Sequence, residues 1–252
     1  MKAPTERFSD RVENYAKYRP RYPDAMLQFI REIVPQPSVV ADMGSGTGIL
    51  TQQLLNAEFE VYAIEPNEPM RNEAEHALNA NPLFHSVRGS AEATTLANRS
   101  IDLVTSAQSF HWFDRAKAKA EFRRILKPGK WVALIWNERQ PEASTFDWKY
   151  EELLRRGAQD YCEVNHRNVI FEDIRAFFEP GEVTLKKYSN AQKLGRQAFI
   201  GRLLSASYVP LAGEPGHREI LAAAERLFDE NAVDGAVSFA YETLLYLGAF
   251  ES

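Results

Sequence analysis

Only one cysteine, Cys162, occurs in 252 residues, which excludes an internal disulfide framework and a cysteine-rich zinc site. Histidine is scarce, at five, and no His/Asp/Glu grouping has metal-ligand spacing, so no metal is expected. No apolar run approaches the ~20 residues needed to cross a bilayer. The opening MKAPTERFSD lacks the apolar stretch of a signal peptide, so a cytoplasmic protein without membrane partners is expected. An excess of positive charge is also missing. The formal charge of −5 argues against a nucleic-acid partner. Arg11, Lys17, Arg19 and Arg21 do gather near the start, but they alternate with tyrosines and acids. There is no internal repeat and no low-complexity tract.

What is present suits one α/β unit. The hydrophobic fraction is 44%, enough for a full core at this length. Short apolar runs at 38–42, 59–64, 83–87, 101–105 and 131–136 read as strands. Helical patterns at 23–34, from the glycine turn to about 57, at 68–80 and at 114–126 lie around and between them. Such alternation predicts βαβ units around a parallel sheet. After Asn137 the texture changes. Residues 144–180 read as charged, aromatic-rich helices, 182–188 as a strand, 191–207 and 215–230 as helices, and 236–250 as containing a last strand. We therefore expect a single domain over 1–252, with core motifs at 38–137, a helical substrate cap at about 138–181 and closing strands within 182–252.

The most informative stretch is Asp42-Met43-Gly44-Ser45-Gly46-Thr47-Gly48. A strand ends in an acid, and three alternating glycines precede a helix. Glycine permits positive φ and lets the backbone approach a ligand with no side chain between them. The carboxyl end of a first strand is where doubly wound sheets bind ligands. A dinucleotide fingerprint, G-x-G-x-x-G, would need glycine where Ile49 stands. The second strand ends in Glu65, followed by Pro66, and an acid there can accept both ribose hydroxyls of a nucleoside.

These residues resemble the class I S-adenosylmethionine (SAM)-dependent methyltransferases. Asp42-x-Gly44-x-Gly46-x-Gly48 is similar to their first motif and Glu65 to their ribose-binding acid. Ser90-Ala91-Glu92 resembles the adenine-side loop, with Ser90 where an acid is frequent. Ser100–Val104 and Phe122-Arg123-Arg124-Ile125-Leu126-Lys127-Pro128-Gly129 resemble the fourth strand and the turn into the fifth. The likeness covers about 10–137. Arg19-Pro20-Arg21-Tyr22-Pro23 and Ala107-Gln108-Ser109-Phe110-His111-Trp112-Phe113 resemble more narrowly the trans-aconitate methyltransferase-like small-molecule enzymes. The resemblance implies a Rossmann-like, mostly parallel seven-stranded sheet with an antiparallel closing strand and a helical insertion after strand five. It also implies SAM as cofactor, with Asp42, Gly44, Ser45, Gly46, Gly48, Glu65, Pro66, Met70, Ser90, Ala91, Glu92, Ala107 and Gln108 around it.

Methyl transfer from a sulfonium is an in-line displacement onto, here, a small-molecule acceptor. The sulfur leaves neutral, so a base is needed only for some acceptors. His111 is the histidine expected at a strand end, where an unperturbed pKa of ~6.5 suits a base or a substrate contact; packing or capping of the next helix is the other reading. His76, His85, His166 and His217 read as structural or surface residues. Tyr15, Tyr18 and Arg19 are expected in a lid, with Phe110, Trp112 and Trp136 as pocket walls and Phe113 turned onto the following helix. Two rival readings remain: a SAM-binding sensor or partner subunit without transfer activity, and an NAD-dependent oxidoreductase, which Ile49 disfavours. The oligomeric state is not legible.

Overall fold

Neighbouring side chains of the central strands point to opposite faces, and helices cover both faces, so those strands are mostly apolar. The computed structural model describes residues 9–158, 161 and 169–250; Cys162 and His166 lie outside them. The strands are β1 (Val39–Met43), β2 (Glu60–Ile64), β3 (Phe84–Val87), β4 (Ile101–Ala107), β5 (Leu126–Arg139), β6 (Val183–Gly195) and β7 (Ala236–Gly248). They form one seven-stranded sheet in the order β3-β2-β1-β4-β5-β7-β6. Pairing is parallel from β3 to β5, and β7 runs antiparallel to both β5 and β6. The expected mostly parallel sheet with an antiparallel closing strand is what forms.

The helices are α1 (Val12–Tyr18), α2 (Asp24–Ile33), α3 (Ile49–Asn56), α4 (Glu68–Leu78), α5 (Arg115–Ile125), α6 (Thr145–Gly157), α7 (Phe171–Phe178), α8 (Arg196–Leu204) and α9 (His217–Asn231). Val40, Leu103, Ala133 and Ile135 pack with Ile30 of α2 and Leu54 of α3. Ala41, Met43, Val104 and Leu134 pack on the other face with Phe122 of α5 and Phe177 of α7. Each leucine-sized side chain removed from water contributes about 1.5–3 kcal/mol. The strand order reverses between β1 and β4, which opens a crevice at their carboxyl ends.

Three features differ from the sequence reading. The fifth strand begins at Leu126 rather than Trp131. The Lys-Pro-Gly segment bulges within it, between the pairs Ile101–Leu126 and Leu103–Trp131. Residues 191–195, read as helix, belong to β6, because thirteen residues there pair continuously with β7. That long-range pairing overrides the weak strand propensity of Ser189-Asn190-Ala191-Gln192-Lys193. Finally, the helices expected together at 138–181 separate. Phe146 and Tyr150 of α6 join Phe199 of α8, Phe228 of α9 and Phe239 of β7 in a third core, while α7 covers the sheet beside α5. The α1 helix is tied to this cap by Arg11, which donates to the carbonyls of Leu204 and Val209.

Candidate functional site

The glycine turn closes over the end of β2: the amides of Gly44 and Ser45 both donate to the Ile64 carbonyl, at 2.8 and 3.1 Å. Gly44, Gly46 and Gly48 have φ of +62°, +58° and +81°, and Gly48 caps α3. A Cβ on Gly44 would lie 2.7 Å from Ser109 Cβ, whereas one on Gly46 would meet only Met70 Sδ, at 3.7 Å. Gly44 is thus required by packing, and Gly46 leaves open space.

Glu65 is buried and bridges the turn to α4. Its Oε2 accepts from Gly46 N and its Oε1 from Asn67 N, both at 2.8 Å. Burial raises its pKa, and these two backbone donors oppose the rise. Asn67 caps α4, its Oδ1 accepting from Met70 N at 3.0 Å. Asp42 lies beneath the turn, where it accepts from Thr51 Oγ1 at 2.7 Å and Thr105 Oγ1 at 2.8 Å.

Burial pushes the Asp42 pKa up to about 6. A carboxyl whose folded pKa is raised contributes stability that is fully present below its unfolded pKa and lost as pH rises through about 6. Replacing Asp42 by Asn is therefore expected to flatten the fall in stability between about pH 4 and about pH 7, by up to about 3 kcal/mol. Urea denaturation at the two pH values checks this; parallel profiles in variant and wild type would contradict it.

A cavity of about 770 Å³, part of it open to solvent, lies at this edge. Its walls include Gly44, Gly46, Glu65 and Pro66 after the first two strands, Met70 from α4, and Ser90, Ala91 and Glu92 from the loop after β3. Ala107, Gln108, Ser109, Trp112 and Phe113 complete it after β4, and Tyr15 comes from α1. Glu92 Oε1 accepts from Asp114 N at 2.9 Å, joining the 90–92 loop to the aromatic segment. Gln108 holds a left-handed φ of +61°, fixed by its amide donating to Ile135 O at 2.9 Å and its Nε2 to Asn137 O at 3.1 Å. Strained backbone of this kind recurs at ligand sites.

Several expected residues stand elsewhere. Phe110 is fully buried and packs edge-to-face on Phe177, with ring centroids 4.8 Å apart; it is core, not wall. Trp136 is also core, between Phe110 and Tyr246, because its side chain falls on the sheet face covered by α5 and α7. Tyr18 packs against α8, where a Cβ on Gly201 would lie 2.1 Å from its ring. Arg19 donates twice to Ser205, at 3.0 Å each, and its guanidinium lies 4.7 Å over the Tyr15 ring, so it backs the cavity rather than lining it. Asp42, Ser45 and Gly48 support the turn from behind.

His111 is not among the cavity-lining residues; its ring lies 4.6 Å from that of Trp112. Burial pushes its pKa down to about 4, which removes the near-neutral match on which a base role rested. Ser109, Asn67 and Phe113 were not expected to line the site. Phe113 also packs on Phe122, 6.5 Å away, so the predicted turn onto the helix leaves one face for the cavity. Ser109 Oγ donates to Met43 O at 2.7 Å, a cross-loop contact with no local sequence signal.

Among the described residues no group of three or more His, Cys, Asp or Glu could hold a metal ion, and no helix is long and apolar enough to cross a membrane. The family described as "Methyltransferase domain" matches residues 41–134. An uncharacterized methyltransferase of Mycobacterium tuberculosis strain H37Rv is 35% identical over 132 residues, 52% of each chain. The chain thus spans about half the length of the mycobacterial relatives it matches. An uncharacterized methyltransferase of Geobacillus kaustophilus is 31% identical over 165 residues, covering 63% of this chain and 74% of that relative. The structure of a candidate type II methyltransferase from Anaeromyxobacter dehalogenans is similar with a TM-score of 0.69 and 26% identity, over 93% of this chain and 99% of that one. With the glycine turn and acid of the sequence motif brought to one crevice, and the same fold shared along nearly the whole chain, this protein belongs to the class I SAM-dependent methyltransferases, the family whose cofactor is SAM.

Proposed function

We propose that the protein transfers a methyl group from SAM to a small-molecule acceptor, with SAM held in the cavity between Glu65 and Trp112. One observation carries this reading: a single cavity joins the glycine turn, the buried acid, the 90–92 loop and an aromatic wall. The residues fit the cofactor. Gly46 leaves room where a Cβ would stand. Each Glu65 oxygen, already accepting one backbone N–H, keeps a lone pair for a ribose hydroxyl.

When bound, SAM supplies an electrophilic methyl group that an acceptor takes by in-line displacement. The chain's part is to orient the reactants and exclude water. Tyr15 and Trp112 bring aromatic faces that favour a cation. His111, neutral at pH 7 with a pKa near 4, is a poor proton acceptor, which suits an acceptor needing no base. The cap of α1, α6, α8 and α9 roofs the acceptor side in this reading, in place of the segment 138–181 alone.

Calorimetric titration with SAM tests the first half: one molecule bound per chain is expected, and no binding refutes it. Trp112→Ala tests the second. Its kcat/KM for the acceptor is expected to fall roughly tenfold or more, with SAM affinity changed only a few-fold. Equal loss of both through unfolding would return Trp112 to a packing role.

A further inference from the structure

Four side-chain amides from different parts of the fold close on one short stretch of backbone. Gln53 of α3 holds Tyr22 from both sides, its Oε1 accepting from Tyr22 N at 3.0 Å and its Nε2 donating to Tyr22 O at 2.8 Å. Asn137 of β5 and Asn190 of β6 both donate to the Arg21 carbonyl, at 3.2 and 2.9 Å. Gln192 of β6 donates to the Tyr18 carbonyl at 2.9 Å. The segment held in this way, 18–22, joins α1 to α2. Neutral amides suit the task, because each carries donor and acceptor together and costs less to bury than a charge.

Asn137 stands at the centre of this clamp. It is only 5% exposed, and its Oδ1 accepts from Thr243 Oγ1 of β7 and from Asn190 Nδ2, the latter at 3.0 Å. Two donors on that oxygen fix the orientation of the amide, which leaves its Nδ2 facing Arg21 O. Asn137 does not line the cofactor cavity, yet it is joined to two sides of it. Its own carbonyl accepts from Nε2 of Gln108 at 3.1 Å, and Gln108 is a wall residue held at a left-handed φ of +61°. On the other side, the clamped segment continues α1, whose Tyr15 lines the cavity and carries Arg19 over its ring. No residue of α1 is buried, so polar contacts at its ends do much of the work of seating it.

We propose that Asn137 is a positioning residue for methyl transfer: it fixes Gln108 on the β4 side of the cavity and the Tyr15-bearing segment on its roof at one mutual separation. This rests on the methyltransferase reading above. In-line displacement is sensitive to such spacing, and a misplacement of about 1 Å can cost on the order of 100-fold in rate.

The test is a double-mutant cycle on the whole chain, read as S-adenosylhomocysteine affinity by calorimetry, with urea denaturation run in parallel. Asn137→Ala is expected to weaken S-adenosylhomocysteine roughly tenfold in protein that remains folded. In a chain that already carries Tyr15→Leu and Gln108→Ala, the same substitution is expected to cost no more than about twofold, because the groups it positions are gone. Asn190→Ala removes the second donor to Arg21 O from the edge strand. It is expected to weaken binding about threefold in the wild-type background only, and it carries the test if Asn137→Ala does not fold. A merely structural role predicts lower stability with unchanged affinity, or the same loss of affinity in both backgrounds, and either result overturns the proposal. Failure of the wild type to bind S-adenosylhomocysteine, seen before any variant is made, overturns the underlying methyltransferase reading and this proposal with it.

Discussion

Replacing Glu65 by Gln is expected to weaken SAM binding roughly 10- to 100-fold. The carboxylate is buried and already accepts from the Gly46 and Asn67 amides. Gln offers one oxygen, and its amide nitrogen must then face a backbone N–H. One tie of the glycine turn is lost along with an ionised acceptor for the ribose, so stability should fall as well, by about 1–3 kcal/mol. Calorimetry gives the affinity and urea denaturation the stability. Unchanged affinity in a folded variant would mean that the acid only braces the turn.

Gly46→Ala should separate binding from folding more sharply. A Cβ there meets nothing nearer than Met70 Sδ at 3.7 Å, so the fold bears only the cost of a left-handed φ, about 1 kcal/mol. The methyl group would, however, enter the cavity that Gly46 and Met70 both line, and SAM affinity is expected to drop more than about tenfold. Gly44→Ala is the contrast. Its Cβ would lie 2.7 Å from the Cβ of Ser109, whose hydroxyl is bonded to both Met43 O and Ser106 Oγ. That variant should lose several kcal/mol of stability through overpacking. Equal destabilisation of the two variants would remove the distinction between a glycine kept for the ligand and one kept for packing.

Much of this site was legible because its chemistry is local in sequence. The glycine alternation after a buried strand, and an acid at the next strand end, are each contained in a few residues, and the sheet order brings them together. The cap was less legible for the opposite reason. Residues 191–195 extend β6 only because β7 pairs with them, and α6 joins α8 and α9 through contacts between segments far apart in the chain. The segment at 109–114 shows both cases. Phe110 and Trp112 were both expected as pocket walls, yet they differ in role because the short 3₁₀ turn at Phe110–Trp112 sends one ring to Phe177 and leaves the other on the cavity. The histidine between them carried the right side chain for a base, and burial then moved its pKa away from neutrality.

Turnover is the most direct measure of the account. SAM-loaded protein given a fraction of small-molecule metabolites should release S-adenosylhomocysteine continuously, with Gly46→Ala releasing far less under the same conditions. Tight SAM binding with no S-adenosylhomocysteine formed from any small-molecule fraction would contradict it, and would leave a protein that binds the cofactor without using it.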